Sequence, residues 1–184
     1  MAKLVSRTYG EALFEVAEEA GEAKAAELLE EIEAVEKIQA QNPKFDELMK
    51  HPGISKPEKL AIIRKVFQGN VSKELESFFE VVVSKDRYRD LPAIFSYFTE
   101  KVKEKQKIGV AYVTTAIRLT PEQEKAVEGK LLATGGYRKM EMHFSVDTAI
   151  IGGMIIRIGD RVVDSSIRTK LDDLTKQLLK IQLG

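Results

Sequence analysis

Apolar residues recur at helical spacing through the first hundred positions and at strand spacing after them, so the pattern alone divides the chain. Val5, Tyr9, Ala12, Leu13, Val16 and Ala20 form one stripe of a first helix, read as its core face, while Phe14 lies roughly 140° away at 100° per residue. Ala25, Leu28, Leu29, Ile32, Val35 and Ile38 carry a second helix that stops at Asn42-Pro43. A short third piece around Phe45, Leu48 and Met49 is broken by His51-Pro52-Gly53. Ser55, with Glu58 three residues on, reads as a capping box opening a fourth helix through Leu60, Ile62, Ile63, Val66 and Phe67. The fifth helix, from about Ser72 to Ser84, is apolar almost all round. Leu75, Phe79, Val82 and Val83 make its stripe, and Phe78 and Val81 lie outside it. Such a helix is either central in its domain or covered by a partner. A sixth, with Leu91, Ile94, Phe95, Phe98 and Val102, follows Asp90-Leu91-Pro92 and ends in the charged run Lys101 to Lys107.

There the period changes. Ile108, Val110 and Tyr112 alternate with Gly109, Ala111 and Val113, and Met140, Met142, Phe144 and Val146 alternate with Glu141, His143 and Ser145. Between these strands Thr120-Pro121-Glu122-Gln123 has the N-cap, N1 and N3 residues of a helix, which Gly135-Gly136 closes. Met154, Ile156 and Ile158 make a third strand, Gly159-Asp160 turns the chain, and Arg161-Val162-Val163 returns. Asp164, Ser165 and Ser166 offer capping oxygens to a last helix whose Ile167, Leu171, Leu174 and Leu178 are expected to lie against the sheet. The predicted class is α+β: an N-terminal six-helix bundle, 1–106, and a small C-terminal domain, 107–184, with a mixed β-sheet and packed helices.

Charge adds an asymmetry. The 29 basic and 29 acidic residues cancel, but 17 oppose 20 through Gln106 and 12 oppose 9 after it, roughly −3 against +3. The acidic excess clusters in the first two helices, from Glu11 to Glu31, as a solvated face or an electrostatic docking surface. A chain this balanced lacks the concentrated basic surface that nucleic acid requires. There is no cysteine, hence no disulfide and no thiolate metal site. The longest apolar run, Ala149 to Ile156, is about eight residues, far short of the roughly twenty of a membrane helix, and the N-terminus reads as neither signal nor transit peptide. The expectation is a soluble cytoplasmic protein that reaches a membrane only through other proteins.

No catalytic constellation emerges. There is no phosphate-loop motif; His51 and His143 have no carboxylates or cysteines at ligand spacing; Gly159-Asp160 is explained as a hairpin turn; Asp172-Asp173 suit the first turns of a helix; and Phe78-Phe79 read as packing residues. No catalytic residue, cofactor, metal or small-molecule substrate is therefore assigned. Three classes stay open: a non-catalytic connector with a binding face on each domain, a small enzyme, which lacks a nucleophile and base pair or a metal set, and a helical adaptor or regulatory protein.

Gly153, Ile155, Ile156, Arg157, Gly159, Asp160, Asp164, Ser166, Arg168 and Leu171 together resemble the C-terminal signature of the delta subunit of F-type ATP synthases, the oligomycin-sensitivity-conferring protein of mitochondria. Arg7-Thr8-Tyr9-Gly10-Glu11-Ala12-Leu13-Phe14 is similar to that family's first helix, where Gly10 stands for a usual small Ala, and Arg87, Leu91, Pro92, Ile94 and Phe98 match a third run. The resemblance spans essentially the whole chain. It implies a stator subunit of the proton-translocating synthase, peripheral to the inner face of the cell membrane, linking the catalytic head to the peripheral stalk. It implies that the first and fifth helices form a groove for the N-terminal helix of an alpha subunit, with the beta subunits as a second candidate contact. Tyr9, Leu13 and Phe14 would form one wall, and Ser77, Phe78, Val81 and Val82 the other. It implies that the C-terminal domain holds the b subunits, for which Met154, Arg168, Lys176 and Leu178 are candidates. The alternative is a helical adaptor unrelated to the synthase.

Overall fold

A computed structural model describes residues 2–182. The chain divides into two compact units, one through Val102 and one from Lys103. The division falls inside the last turn of the sixth helix rather than after Gln106.

The first unit consists of α1 (Ala2–Ala20), α2 (Glu22–Gln41), α3 (Pro43–Lys50), α4 (Lys56–Phe67), α5 (Lys73–Ser84), a 3₁₀ turn (Tyr88–Asp90) and α6 (Leu91–Lys105). Local signals set the helix starts. Ser55 accepts from the Glu58 amide at 3.5 Å while Glu58 Oε2 accepts from the Ser55 amide at 2.9 Å, the reciprocal capping box. Ser72 gives both its amide and its hydroxyl to the Glu31 carboxylate, at 2.8 and 2.7 Å, tying the start of α5 to α2. An aromatic stack forms the centre of the core: Phe79 lies flat on Phe67 at 4.5 Å and edge-on to Phe95 at 5.9 Å.

The face that α1 buries differs from the expected one. Ser6, Gly10, Leu13 and Ala17 point inward, whereas Val16 is 45% exposed and Tyr9 half-buried. Small residues let the α1 backbone approach α6 closely: a Cβ on Gly10 would lie 2.5 Å from Tyr97 Cδ1 and 3.2 Å from the Ile94 carbonyl oxygen. The larger apolar residues of α1 are thereby turned aside from the core.

The second unit contains β1 (Ile108–Thr115), α7 (Pro121–Gly135), β2 (Lys139–Val146), a 3₁₀ turn (Thr148–Ile150), β3 (Met154–Ile158), β4 (Arg161–Asp164) and α8 (Ile167–Gln182). The sheet is mixed, in order β2-β1-β3-β4: β1 runs parallel to β2, through the crossover helix α7, and antiparallel to β3. Registers Ala111 with Met142 and Ile158, and Val113 with Phe144 and Ile156, place these residues on one face. Leu131 of α7 meets Ile156, Ile158 and Val163 there around a cavity of about 290 Å³.

The expectation that α8 lies along the sheet is corrected. Leu171, Leu174 and Leu178 are 49%, 54% and 64% exposed. The helix is fastened at its root instead. Its Ile167 amide donates to the Gly152 carbonyl at 2.9 Å, and the buried Ser166 accepts from the Thr169 amide as N-cap.

Candidate functional site

Two surfaces, one in each unit, collect the residues singled out in the sequence. The first is an open groove of about 540 Å³ between α1 and α5. Thr8, Tyr9, Ala12, Leu13 and Val16 line it from α1, and Lys73, Glu74, Ser77, Phe78 and Val81 from α5. Both sets recur every three or four residues, so each wall is a straight helical ridge, the geometry that receives a third amphipathic helix. The floor is apolar because Leu13 is buried and Phe78 packs on the core, its ring 6.4 Å from that of Phe95. The rims are Val16 and Val81, the latter 49% exposed.

Two residues assigned to this groove lie elsewhere. Val82 is fully buried and belongs to the core, because one step along a helix turns a side chain by about 100° from Val81. Phe14 is half-buried and packs against the core cluster without lining the groove. Thr8, Ala12, Val16, Lys73 and Glu74 were not singled out as lining residues. Counting in steps of three or four from Tyr9 and back from Val81 reaches all but Thr8.

Ion pairs hold the walls in place. Arg64 donates twice to Glu80, at 2.6 and 3.1 Å, bracing α5 against α4. Lys24 of α2 meets Glu74 at 2.9 Å at one end of the groove. That hydrogen bond raises the Lys24 ammonium above its usual range and holds the half-buried Glu74 carboxyl below its own.

The second surface is the outer side of α8. Ile167, Leu171, Leu174 and Leu178 make an uncovered apolar row, and Leu179 is 54% exposed beside it. Arg168 is exposed, and Lys176 is exposed with Asp173 at 3.6 Å. Met154 is half-buried on β3, not on the helix, and its carbonyl accepts from both the amide and the hydroxyl of Ser165. The structure thus gathers Arg168, Lys176 and Leu178 on one element and leaves Met154 at its root.

The glycine-rich signature is a fastening for that root. Gly153 has φ 79°, and a Cβ there would lie 2.4 Å from the Ser165 carbonyl oxygen. The Asp164 carboxylate accepts from the Ser166 amide and the Thr169 hydroxyl, both at 2.8 Å, and these bonds hold it below the usual carboxylate range. The same hairpin-to-helix lock explains why Gly153, Asp164 and Ser166 occur together.

Among the described residues no helix is long and apolar enough to cross a membrane, and no three His, Asp or Glu side chains converge as metal ligands. A helical unit with an open apolar groove, followed by a mixed-sheet unit that projects an uncovered amphipathic helix, defines a two-module protein built around recognition surfaces. The particular family follows from the whole sequence: residues 5–178 match the model of the ATP synthase delta (OSCP) subunit, and the chain belongs to that family. It is 47% identical to the ATP synthase subunit delta of Lachnoclostridium phytofermentans over the full length of both chains. It is 33% identical to the protein of that name in Clostridium perfringens, with 98% of this chain and 99% of that one covered. Its fold is also that of a chain in the Toxoplasma gondii mitochondrial ATP synthase hexamer, with a TM-score of 0.71 at 19% identity over 95% and 97% of the two chains.

Proposed function

We propose that this chain is a non-catalytic stator subunit of a proton-translocating F-type ATP synthase, joining the catalytic head to the peripheral stalk so that the head does not turn with the rotor. The observation that carries this reading is the groove between α1 and α5, whose two apolar ridges suit one further amphipathic helix. Its occupant is the N-terminal helix of an alpha subunit. Tyr9, Leu13, Ser77, Phe78 and Val81 contact it, together with Val16, while Phe14 and Val82 support the walls from behind.

The second module takes the b subunits along α8. Leu171, Leu174 and Leu178 form the apolar seam, with Arg168 and Lys176 flanking it and Met154 at its root. A joint under torque needs extensive apolar contact and slow dissociation, which an uncovered leucine row supplies. The chain is then peripheral to the inner face of the cell membrane, held there by its partners. Membership of the family excludes an adaptor unrelated to the synthase.

Reconstitution with a depleted complex tests both joints. Val81→Asp should leave the chain on the stalk but release the head. Leu174→Asp with Leu178→Asp should leave it on the head but release it from the membrane sector. In each case proton-driven synthesis falls while ATP hydrolysis by the released head continues. Wild-type synthesis with both variants would overturn the proposal.

A further inference from the structure

Ile151 stands in a backbone conformation that a β-branched residue seldom takes, φ 67° and ψ −41°. The Gly152 amide closes back on the Ile150 carbonyl at 2.8 Å, which makes Ile151 the centre of a three-residue γ-turn of the rare, strained hand. Glycine would take this position at no steric cost, and glycine fills the next two positions, 152 and 153. The turn therefore explains the backbone but not the side chain. Packing within the chain does not explain it either, because Ile151 is 61% exposed and little of its apolar surface is removed from water. An exposed isoleucine retained against backbone strain points to a contact made outside the chain. The surroundings of the turn say where that contact lies. The Gly152 carbonyl accepts the Ile167 amide at 2.9 Å, and the Ile167 side chain lies over Gly152, where a Cβ would stand 2.7 Å from its Cδ1. Ile167 is the first member of the uncovered row that Leu171, Leu174 and Leu178 continue. Ile151 is thus the covalent neighbour of the residue on which that row begins. Arg168, exposed at the same root, adds a cation beside the apolar stripe.

We propose that Ile151 is a partner-contacting residue: its γ-turn presents the side chain as an apolar anchor at the root of α8, and one amphipathic stalk helix covers the α8 row and continues past Ile167 onto Ile151. This assignment rests on α8 being the element that takes the b subunits. It adds a contact that the helix alone does not supply. Because the turn is already closed by its own hydrogen bonds, the anchor has little backbone freedom left to lose when the partner arrives. Strain held in the free chain is in this way exchanged for a pre-set contact in the complex.

The test uses the full-length chain, with the soluble segment of the b subunits of its own synthase, lacking the membrane helix, as the titrant. Isothermal titration measures affinity, and calorimetric unfolding of the second unit is followed in parallel. Ile151→Gly should weaken the complex by about tenfold or more while unfolding at no lower temperature than wild type, because it gives up an exposed anchor and releases the strain. Ile151→Ala keeps the strain, so it should lose affinity to the same extent and unfold earlier than Ile151→Gly. Ile151→Leu retains the apolar bulk and should bind within about threefold of wild type. A glycine variant that binds as wild type does, where Leu174→Asp with Leu178→Asp abolishes binding, overturns this contact and leaves the stalk reading of α8 intact. A glycine variant that unfolds clearly earlier than wild type makes Ile151 a packing residue and overturns it as well. Absence of binding by the wild-type chain overturns the stalk reading, and this contact with it.

Discussion

Gly10 and Tyr97 are in such close contact that α1 has no room there for a methyl group. A Cβ on Gly10 would stand 2.5 Å from Tyr97 Cδ1 and 3.2 Å from Tyr97 Cβ. The neighbouring Glu11 carboxylate accepts the Tyr97 hydroxyl, which fixes the ring across the glycine. Gly10→Ala should therefore destabilise the protein even though alanine is the better helix former. The propensity gain is about 1 kcal/mol, against roughly 1–3 kcal/mol for overpacking a close contact. Urea unfolding should give a lower midpoint at unchanged slope. Gly10→Ala combined with Tyr97→Ala should cost less than the sum of the two, since the second change removes the obstacle to the first.

Val81 and Val82 are adjacent in sequence and opposite in role, 49% and 0% exposed. Val82→Ala should cost about 1–3 kcal/mol of folding stability, as methyl groups leave a packed core. Val81→Asp should change stability by no more than about 0.5 kcal/mol, as expected at an exposed position. It should weaken an apolar helix in the groove by about 2 kcal/mol or more, because the ligand then faces a carboxylate it cannot pair. Paired denaturation and peptide-titration measurements separate the two outcomes.

Modularity has its own test. Residues 1–105 contain every member of the aromatic core and should fold alone as a helical domain by circular dichroism. In the intact chain, Gly153→Ala forces a Cβ to within 2.4 Å of the Ser165 carbonyl oxygen at φ 79°. It should lower the stability of the second unit by about 2 kcal/mol or more through backbone strain and overlap. Calorimetry should then show that transition moving while the first unit's transition stays in place.

The Asp164 carboxylate, held below its ordinary range by the Ser166 amide and the Thr169 hydroxyl, makes the root of α8 acid-sensitive. A group whose folded pKa is depressed contributes stability above its unfolded pKa and loses it as pH falls through the folded value. Helix content should therefore decline as pH drops below about 4, the usual carboxylate value. Asp164→Ala should lower helix content at neutral pH and lose this acid step. Circular dichroism from pH 7 to pH 2.5 checks both.

Short-range chemistry was legible in the sequence, because it depends only on residues a few positions apart. The capping boxes at Ser55 and Thr120, the Gly159-Asp160 turn and the change from helical to strand period at Ile108 are of this kind. Which way each stripe faces was a different matter. The apolar stripe of α1 reads as core, yet Gly10 and Ala17, with no apolar bulk to announce them, point inward because two helices pack close there. Val16 and Tyr9 are consequently left to line a groove. Likewise Val82 and Val81 differ only in which side α4 and α6 occupy, and the leucines of α8 have the spacing of a packed helix although the described residues of the unit leave them about half exposed or more. Hydrophobic periodicity states that a face must be buried. Only the tertiary structure decides whether the chain itself buries it or leaves it open, because that depends on neighbours far away in sequence.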